Sequence, residues 1–376
     1  MKILNNSIKI GSTIGIIGGG QLGQMLAQSA RQSGMKVIIL DPQKDCPAAL
    51  FADGQIVADY SDEAAIRKLV SKADVLTYEF ENVDLNILEK IQNKTLLPQG
   101  THLLKITKDR LNEKNFLKNL GLRTAEFSGI NTEKELKNAL DEFGYPSYLK
   151  TCEGGYDGKN QMQLKSTSDF DKATTILQKG PCILEKKVVF KMECSVMVGR
   201  NVDGEVSVFP VSENIHRNQI LHESIVPARI SEKLQNEAQL IARKIAEALN
   251  LCGILGIEMF IGEDDNVYVN ELAPRPHNSG HYSIEACNYS QFDIHNRAIC
   301  NWKMPEIKLL KPVVMVNVLG QHLEKVKALV PHNEEYHFHD YWKTEARVDR
   351  KMGHVTILTN DIEKTLNDIE KTNVWD

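Results

Sequence analysis

The sequence predicts a chain of mixed α/β and α+β architecture that opens on a doubly wound parallel sheet. Three observations predict it. Short apolar runs alternate with helical periodicity over the first hundred residues, with glycines at the turns. Leu97-Pro98-Gln99-Gly100 then breaks the alternation and marks a domain exit. Beyond it, strand-like runs come in pairs around short turns, a pattern of antiparallel rather than parallel sheet.

The elements follow in order. A strand over 13–18 ends in glycines, and a helix over 21–33 places Leu22, Met25, Leu26 and Ala30 on one side. Gly34 stops it, and 36–40 is a strand again. A helix over 62–70, a third strand over 75–79 and a helix over 85–91 complete the first unit. Helices over 107–120 and 133–143 come next, then strands over 148–151 and 162–165, with a glycine-rich segment over 153–158 between them. A helix near 168–178 precedes a strand over 181–189. Strands over 192–200 and 205–211 pair around a turn at 201–204. The clearest amphipathic helix covers 231–249, strands over 255–261 and 266–272 pair after it, and 291–300 is helical. A small α/β region follows Lys311-Pro312.

Composition narrows the function. The chain's 376 residues make two or three domains at roughly 150 residues each. A net charge of −5 argues against nonspecific nucleic-acid binding, which needs a basic excess. No apolar stretch reaches the ~18 residues of a membrane span, and the N-terminus lacks a secretory pattern. The seven cysteines are scattered without a CxxC pair, as expected of reduced thiols in a cytoplasmic protein.

Gly18, Gly20 and Gly23 form GxGxxG between a strand and a helix, and Asp41 ends the next strand. The motif implies a phosphate at a helix N-terminus. Read alone it favours NAD(P) and an oxidoreductase; a sugar phosphate and a purely structural turn are the alternatives. Lys150 and the loop Gly154-Gly155-Tyr156-Asp157-Gly158-Lys159 form a glycine-rich lid with a cation, without the GxxxxGK[ST] pattern of a P-loop. The strand end Glu185-Lys186-Lys187-Val188 suits a purine edge, and Glu193 a ribose.

Glu258 and Glu271 fall on neighbouring strands among apolar residues, where an isolated charge is costly to bury. A cation relieves that cost, and Mg²⁺ accepts a few carboxylates completed by phosphate oxygens and water. Asn270 adds a neutral oxygen. Pro274 and Pro276 stiffen the loop that carries Arg275, an anion ligand by its planar fork, and His277. His277 and His281 are four apart, but the prolines and Gly280 favour a loop over a zinc-binding helix.

Together these residues resemble the ATP-grasp family, and within it the N5-carboxyaminoimidazole ribonucleotide synthases. The resemblance runs nearly end to end, through IGIIGGGQLGQM, TYEFENV, GGYDGK, ENIHRNQILHESIVPAR, VNELAPRPHNSGHYSIEAC and EARVDRKMGHVT. It implies three domains: a pre-ATP-grasp domain over 1–105, an ATP-grasp domain over 106–305 with a lid at about 124–187, and a small C-terminal domain over 306–376. It implies a homodimer, Mg²⁺ (with Mn²⁺ as a substitute), and a reaction of ATP, bicarbonate and 5-aminoimidazole ribonucleotide. ATP contacts are implied at Arg110, Lys150, Gly155, Tyr156, Asp157, Gly158, Lys159, Asn160, Gln161, Glu185, Lys186, Lys187, Val188, Glu193, His216, Asn270 and Glu271. Glu258 and Glu271 are the implied metal ligands. Gln21, Leu22, Lys343 and Arg350 are implied at the ribonucleotide phosphate, and Glu79, Tyr156 and Asp157 near the aminoimidazole. Asp157, Lys159, Arg275 and His277 are the implied catalytic groups, the last three around bicarbonate. Members commonly carry glycine where this chain has Asn160, a departure within the lid. Another ATP-grasp ligase, such as a formate-dependent glycinamide ribonucleotide transformylase, and a noncatalytic nucleotide sensor are the remaining alternatives.

Overall fold

A computed structural model of the chain, describing residues 7–81, 83–91, 97–154 and 160–375, arranges these elements as three sheets. The first holds β1 (Thr13–Ile17), β2 (Lys36–Asp41), β3 (Gly54–Val57) and β4 (Val75–Tyr78), all parallel, in the order β3-β2-β1-β4. Ile14 and Ile16 pack on Leu22, Met25 and Leu26 of helix Gln21–Gln32, while Ile17 packs on Ile66 and Leu69 of helix Glu63–Val70. Both faces of the sheet are covered, as a doubly wound sheet requires. Strand β3 was not expected from the sequence: four residues with an exposed Val57 carry too little alternation to register. The strand order reverses at β1, so the crevice beyond the carboxyl ends of β1 and β4 is the place for a ligand.

The single helix expected over 107–120 is two, His102–Thr107 and Arg110–Asn119. Asp109 separates them, because its side chain accepts the Asn112 N–H and so begins a new helix.

The second sheet is antiparallel, with β5 (Phe127–Ile130), β6 (Ser147–Thr151), β7 (Gln161–Leu164) and β8 (Cys182–Lys186) in the order β5-β8-β6-β7. Strand β8 stops at Lys186, short of the expected 189, so Lys187 and Val188 lie in the connection to the third sheet.

That sheet has nine strands: β9 (Phe190–Arg200), β10 (Val206–Val208), β11 (Ser212–Arg217), β12 (Ile220–Val226), β13 (Gly253–Gly262), β14 (Val267–Ala273), β15 (Val313–Leu319), β16 (Tyr336–Asp340) and β17 (Lys351–Leu358). Their order is β14-β13-β9-β11-β12-β15-β17-β16, with β10 beside β9. The β12–β15 pairing therefore joins the C-terminal strands to the central ones in one continuous sheet.

Strand period dictates which side chains line the site. Val196, Val198, Leu255, Ile257 and Met259 pack on Leu234, Ala238, Ala242 and Ile245 of helix Glu232–Ala248. The intervening Glu193, Ser195, Gly256 and Glu258 therefore share the opposite face. On β14 the pairing runs Glu258↔Glu271 and then Met259↔Val269, which leaves Asn270 as an extra residue. This bulge turns both Asn270 and Glu271 toward the site and keeps Leu272 in the core.

Candidate active site

Two N–H groups at the start of helix Gln21–Gln32 are already taken by a carboxylate. The Gly20 N–H donates to Glu79 Oε1 at 2.6 Å, and the Gly23 N–H donates to Glu79 Oε2. The Gly19 N–H donates to Asp41 Oδ2 at 2.7 Å, and that oxygen also accepts the Tyr60 hydroxyl at 2.6 Å. A Cβ on Gly20 would lie 2.9 Å from Glu79 Oε1, so the glycines serve close approach by a carboxylate. This corrects the NAD(P) reading: the dinucleotide's phosphate seat is held by Glu79, and Asp41 is committed to the protein. Burial pushes the Glu79 carboxyl above the usual range, against the two amide donors. Helix geometry leaves the next two N–H groups, of Gln21 and Leu22, without intrahelical acceptors. Lys343 Nζ stands 2.7 Å from Gln21 Oε1 and 2.7 Å from the Lys351 carbonyl. Burial, with the charges of Arg350 and Lys351, pushes the Lys343 ammonium down to about 8. Gln21, Leu22, Lys343 and Arg350 are thus brought together from opposite ends of the chain.

A buried ion cluster ties the second sheet to the third. Lys150 Nζ is 2.5 Å from Glu185 Oε2, and Lys114 Nζ is 3.2 Å from Glu185 Oε1. Burial alone would raise Glu185, but the two ammonium groups outweigh it and hold its carboxyl at about 2. Lys114 also donates to the Asn270 carbonyl at 2.7 Å, and Glu113 accepts the Leu272 N–H at 3.3 Å. Glu113 and Lys114 were not singled out in the sequence, where an adjacent acid and base within a helix carry no pattern of their own; only 4% and 3% of their surfaces are exposed. Arg110, on the same helix, donates to the Thr151 carbonyl at 2.9 Å beside Lys150. The Glu185 side chain is committed to lysines, and the Lys186 and Lys187 N–H groups donate to the Glu126 and Pro146 carbonyls at 2.9 and 3.2 Å.

Gln161 pairs with Lys150 across β6 and β7. Asn160 just ahead of it has φ +57°, the left-handed region that favours glycine and that asparagine tolerates. Its side chain donates to the Gly154 carbonyl at 3.2 Å. The expected lid residues Gly155, Tyr156, Asp157, Gly158 and Lys159 lie outside the described residues.

The expected pair of metal carboxylates is directly opposed, Glu258 against Glu271. Glu258 is half-buried; Glu271 is not buried as expected, but exposed. Crowding by protein, and then the Glu258 and Glu81 charges, push the Glu271 carboxyl up to about 7. Burial pushes Glu258 up as well, but His277, His216 and Asn270 outweigh it and keep Glu258 ionised. His277 Nε2 lies 3.3 Å from Glu258 Oε1, and Asn270 Nδ2 donates to Glu258 Oε2 at 3.4 Å. Two carboxylates crowded together with one held short of full ionisation are the donor set a divalent cation fits.

Arg275 Nε pairs with Glu81 Oε1 at 3.0 Å. His281 turns away from His277 into the core, where its Nδ1 meets Gln291 Nε2 at 2.9 Å, so the two rings do not share a metal. Beside Glu258, His216 Nδ1 stands 2.7 Å from Glu193 Oε2; burial lowers the imidazole, but the Glu193 carboxylate outweighs it and raises it overall.

Three family models match the chain in order: a ribonucleotide synthetase preATP-grasp domain over 11–108, an ATP-grasp domain over 115–292 and a phosphoribosylaminoimidazole carboxylase C-terminal domain over 313–368. The chain is 47% identical over 365 residues to the N5-carboxyaminoimidazole ribonucleotide synthase of Bacillus subtilis (strain 168), covering 97% of this chain and 96% of that one. A crystal structure of an ADP complex of N5-carboxyaminoimidazole ribonucleotide synthetase matches with a TM-score of 0.97 at 50% identity, over 99% of both chains. The N5-carboxyaminoimidazole synthase of Aspergillus clavatus, in complex with ADP and 5-aminoimidazole ribonucleotide, matches with a TM-score of 0.89 at 32% identity, over 98% of this chain and 99% of that one. The helix start held by Glu79, the paired carboxylates and these full-length likenesses agree: the chain belongs to the N5-carboxyaminoimidazole ribonucleotide synthase family of ATP-grasp enzymes.

Proposed function

We propose that the chain carboxylates the exocyclic amine of 5-aminoimidazole ribonucleotide with bicarbonate, through carboxyphosphate, while ATP becomes ADP and phosphate. Membership of the family makes it an ATP-dependent ligase of purine biosynthesis. One observation carries the residue-level reading. The segment after β4 places Glu79 on the start of helix Gln21–Gln32 and Glu81 on Arg275. An anion seat for the ribonucleotide and the carboxylate site for ATP therefore open onto the same three residues.

In this reading Lys343, Arg350 and the Gln21 and Leu22 N–H groups hold the ribonucleotide phosphate. Glu79, Tyr156 and Asp157 face the aminoimidazole. Lys150, Arg110, Gln161 and the backbone of Lys186, Lys187 and Val188 hold ATP, with Glu193 and His216 toward its ribose. Mg²⁺ held by Glu258 and Glu271, with Asn270 beside them, would neutralise phosphate oxygens during transfer. Arg275 exchanges Glu81 for bicarbonate, and His277 and Lys159 complete the anion's surroundings. Bicarbonate alone would have to expel hydroxide; its phosphorylated form expels phosphate instead. That form is fragile in water, so the loop carrying Asp157 and Lys159 serves to exclude solvent. Asp157 takes the proton as the amine attacks.

The three-unit division at 1–105, 106–305 and 306–376 belongs to this proposal, supported by the order of the family matches over 11–108, 115–292 and 313–368, and so does a homodimer. Seven buried free thiols, with those of Cys46 and Cys152 pushed by burial up to about 11, support a cytoplasmic setting. The deciding measurement is ADP release with ATP and Mg²⁺, omitting bicarbonate and the ribonucleotide in turn. Release that needs both supports the reading, and release indifferent to the ribonucleotide rejects it.

A further inference from the structure

His277 is held by a buried chain of hydrogen bonds whose direction can be worked out from one end. The Ser279 backbone N–H, which can only donate, points to His277 Nδ1 at 3.4 Å. Nδ1 is therefore an acceptor, and a neutral ring carries its proton on Nε2, 3.3 Å from Glu258 Oε1. The Ser279 hydroxyl, 2.8 Å from Nδ1, must then donate to it. Its oxygen is left to accept from Ser195, 2.6 Å away. Ser195 in turn accepts from Asn214 Nδ2 at 2.9 Å, and Asn214 Oδ1 accepts from Ser212 at 3.0 Å and Ser224 at 3.1 Å. Every hydroxyl proton and every amide atom in this chain has one consistent role. Ser195 and Ser279 have no exposed surface, and Asn214 is 7% exposed.

The sheet register builds the chain. Ser195 pairs with Glu258 on one side and Ser212 on the other, and Asn214 pairs with Ser224. All of them share the face that carries Glu258. Four small polar residues in a sheet interior are expensive to bury unless all are satisfied. Valine or alanine would fill such positions without needing partners. Gly256, on the same face, leaves room for the ring: a Cβ there would sit 2.6 Å from His277 Cβ.

We propose that Ser279, backed by Ser195 and Asn214, is a positioning residue that fixes the tautomer and aim of His277, so that an Nε2–H always faces the Glu258 carboxylate and the anion beside it. The proposal rests on the reading of His277 as a group at the bicarbonate site. A free imidazole would divide its population between tautomers and rotate its donor away from the anion.

The test combines imidazole ¹⁵N–¹H correlation spectra with kinetics on the full chain, for wild type, Ser279→Ala and Ser195→Ala. His277→Gln assigns the ring signals. In wild type, His277 should show a bare Nδ1 and a protonated Nε2. Ser279→Ala should mix the tautomers and lower kcat roughly 10- to 100-fold, the scale on which orienting partners act. Its ATP Kd should stay within about twofold of wild type, since no ATP contact is removed. Ser195→Ala should shift both readouts in the same direction but less, and it stands in if Ser279→Ala does not fold. A wild-type ring protonated on Nδ1, an unchanged tautomer in both variants, or a mixed tautomer with unchanged kcat each overturns the proposal. Loss of the ribonucleotide requirement in wild type would instead reject the functional reading, and the tautomer result would still decide whether the chain orients His277.

Discussion

Lys343 Nζ lies 2.7 Å from Gln21 Oε1, across 322 residues of sequence. The pair closes the C-terminal strands onto the first helix, and under the proposed function it forms an anion seat that neither region holds alone. Lys343→Met should weaken ribonucleotide binding by roughly 10- to 100-fold, the worth of one charged hydrogen bond, and leave ATP affinity unchanged. Calorimetric titration of each ligand separates the two, and equal losses would remove Lys343 from the phosphate seat.

The same lysine predicts a pH dependence. Burial with Arg350 and Lys351 brings its ammonium from 10.5 to about 8. Ribonucleotide affinity should therefore fall as pH rises through about 8, because the charge that meets the phosphate is lost. Stability should move the other way. From about 8 to 10.5 the unfolded chain holds a proton that the folded chain has released, so this group makes stability rise with pH over that window. Lys343→Met should flatten both trends.

Glu271→Ala should lower ATP turnover by about 10²-fold or more while the circular dichroism spectrum is kept. Its melting temperature without metal should not fall, since the mutation removes the charge that crowds Glu258. Near-normal turnover with Mg²⁺ would take Glu271 out of the metal site.

Glu79 is the acceptor for two N–H groups, that of Gly23 buried and that of Gly20 part-buried. Glu79→Ala leaves both unsatisfied, at about 1–3 kcal/mol each, and should lower the denaturation midpoint accordingly. In wild type, ATP with Mg²⁺ should raise the melting temperature and NADH should not, because Glu79 occupies the Gly20 and Gly23 amides and Asp41 is committed to Gly19 and Tyr60. A rise with NADH would reopen the oxidoreductase reading.

Arg275 is held by Glu81. Glu81→Gln should lower the KM for bicarbonate, because the anion no longer competes with a carboxylate for the guanidinium. Steady-state kinetics with varied bicarbonate reads this directly; a raised KM would mean that Glu81 orients Arg275 rather than occupying it.

Much of this site was legible in the chain. The Glu258 and Glu271 strands, the Lys150 strand and the Arg275–His277 loop stand in the sequence as local patterns, and each lies where its pattern suggested. The GxGxxG motif was legible as a close-approach turn but not in what approaches. Glu79 is 59 residues from Gly20, and no local pattern distinguishes a carboxylate at a helix start from a phosphate.

By itself the sequence determined most of the strand and helix order and the parallel first sheet, though not β3, β11 or β12, because that order follows from periodicities of a few residues. Only the tertiary structure decided three things. The bulge at Asn270 turned two consecutive polar residues to one face. The packing of helix Arg110–Asn119 drew Lys114 onto Glu185 and the Asn270 carbonyl, 156 residues away. The continuous sheet delivered Lys343 to Gln21. Each depends on a contact between residues far apart in the chain, where pairing energy and burial act and local periodicity carries no information.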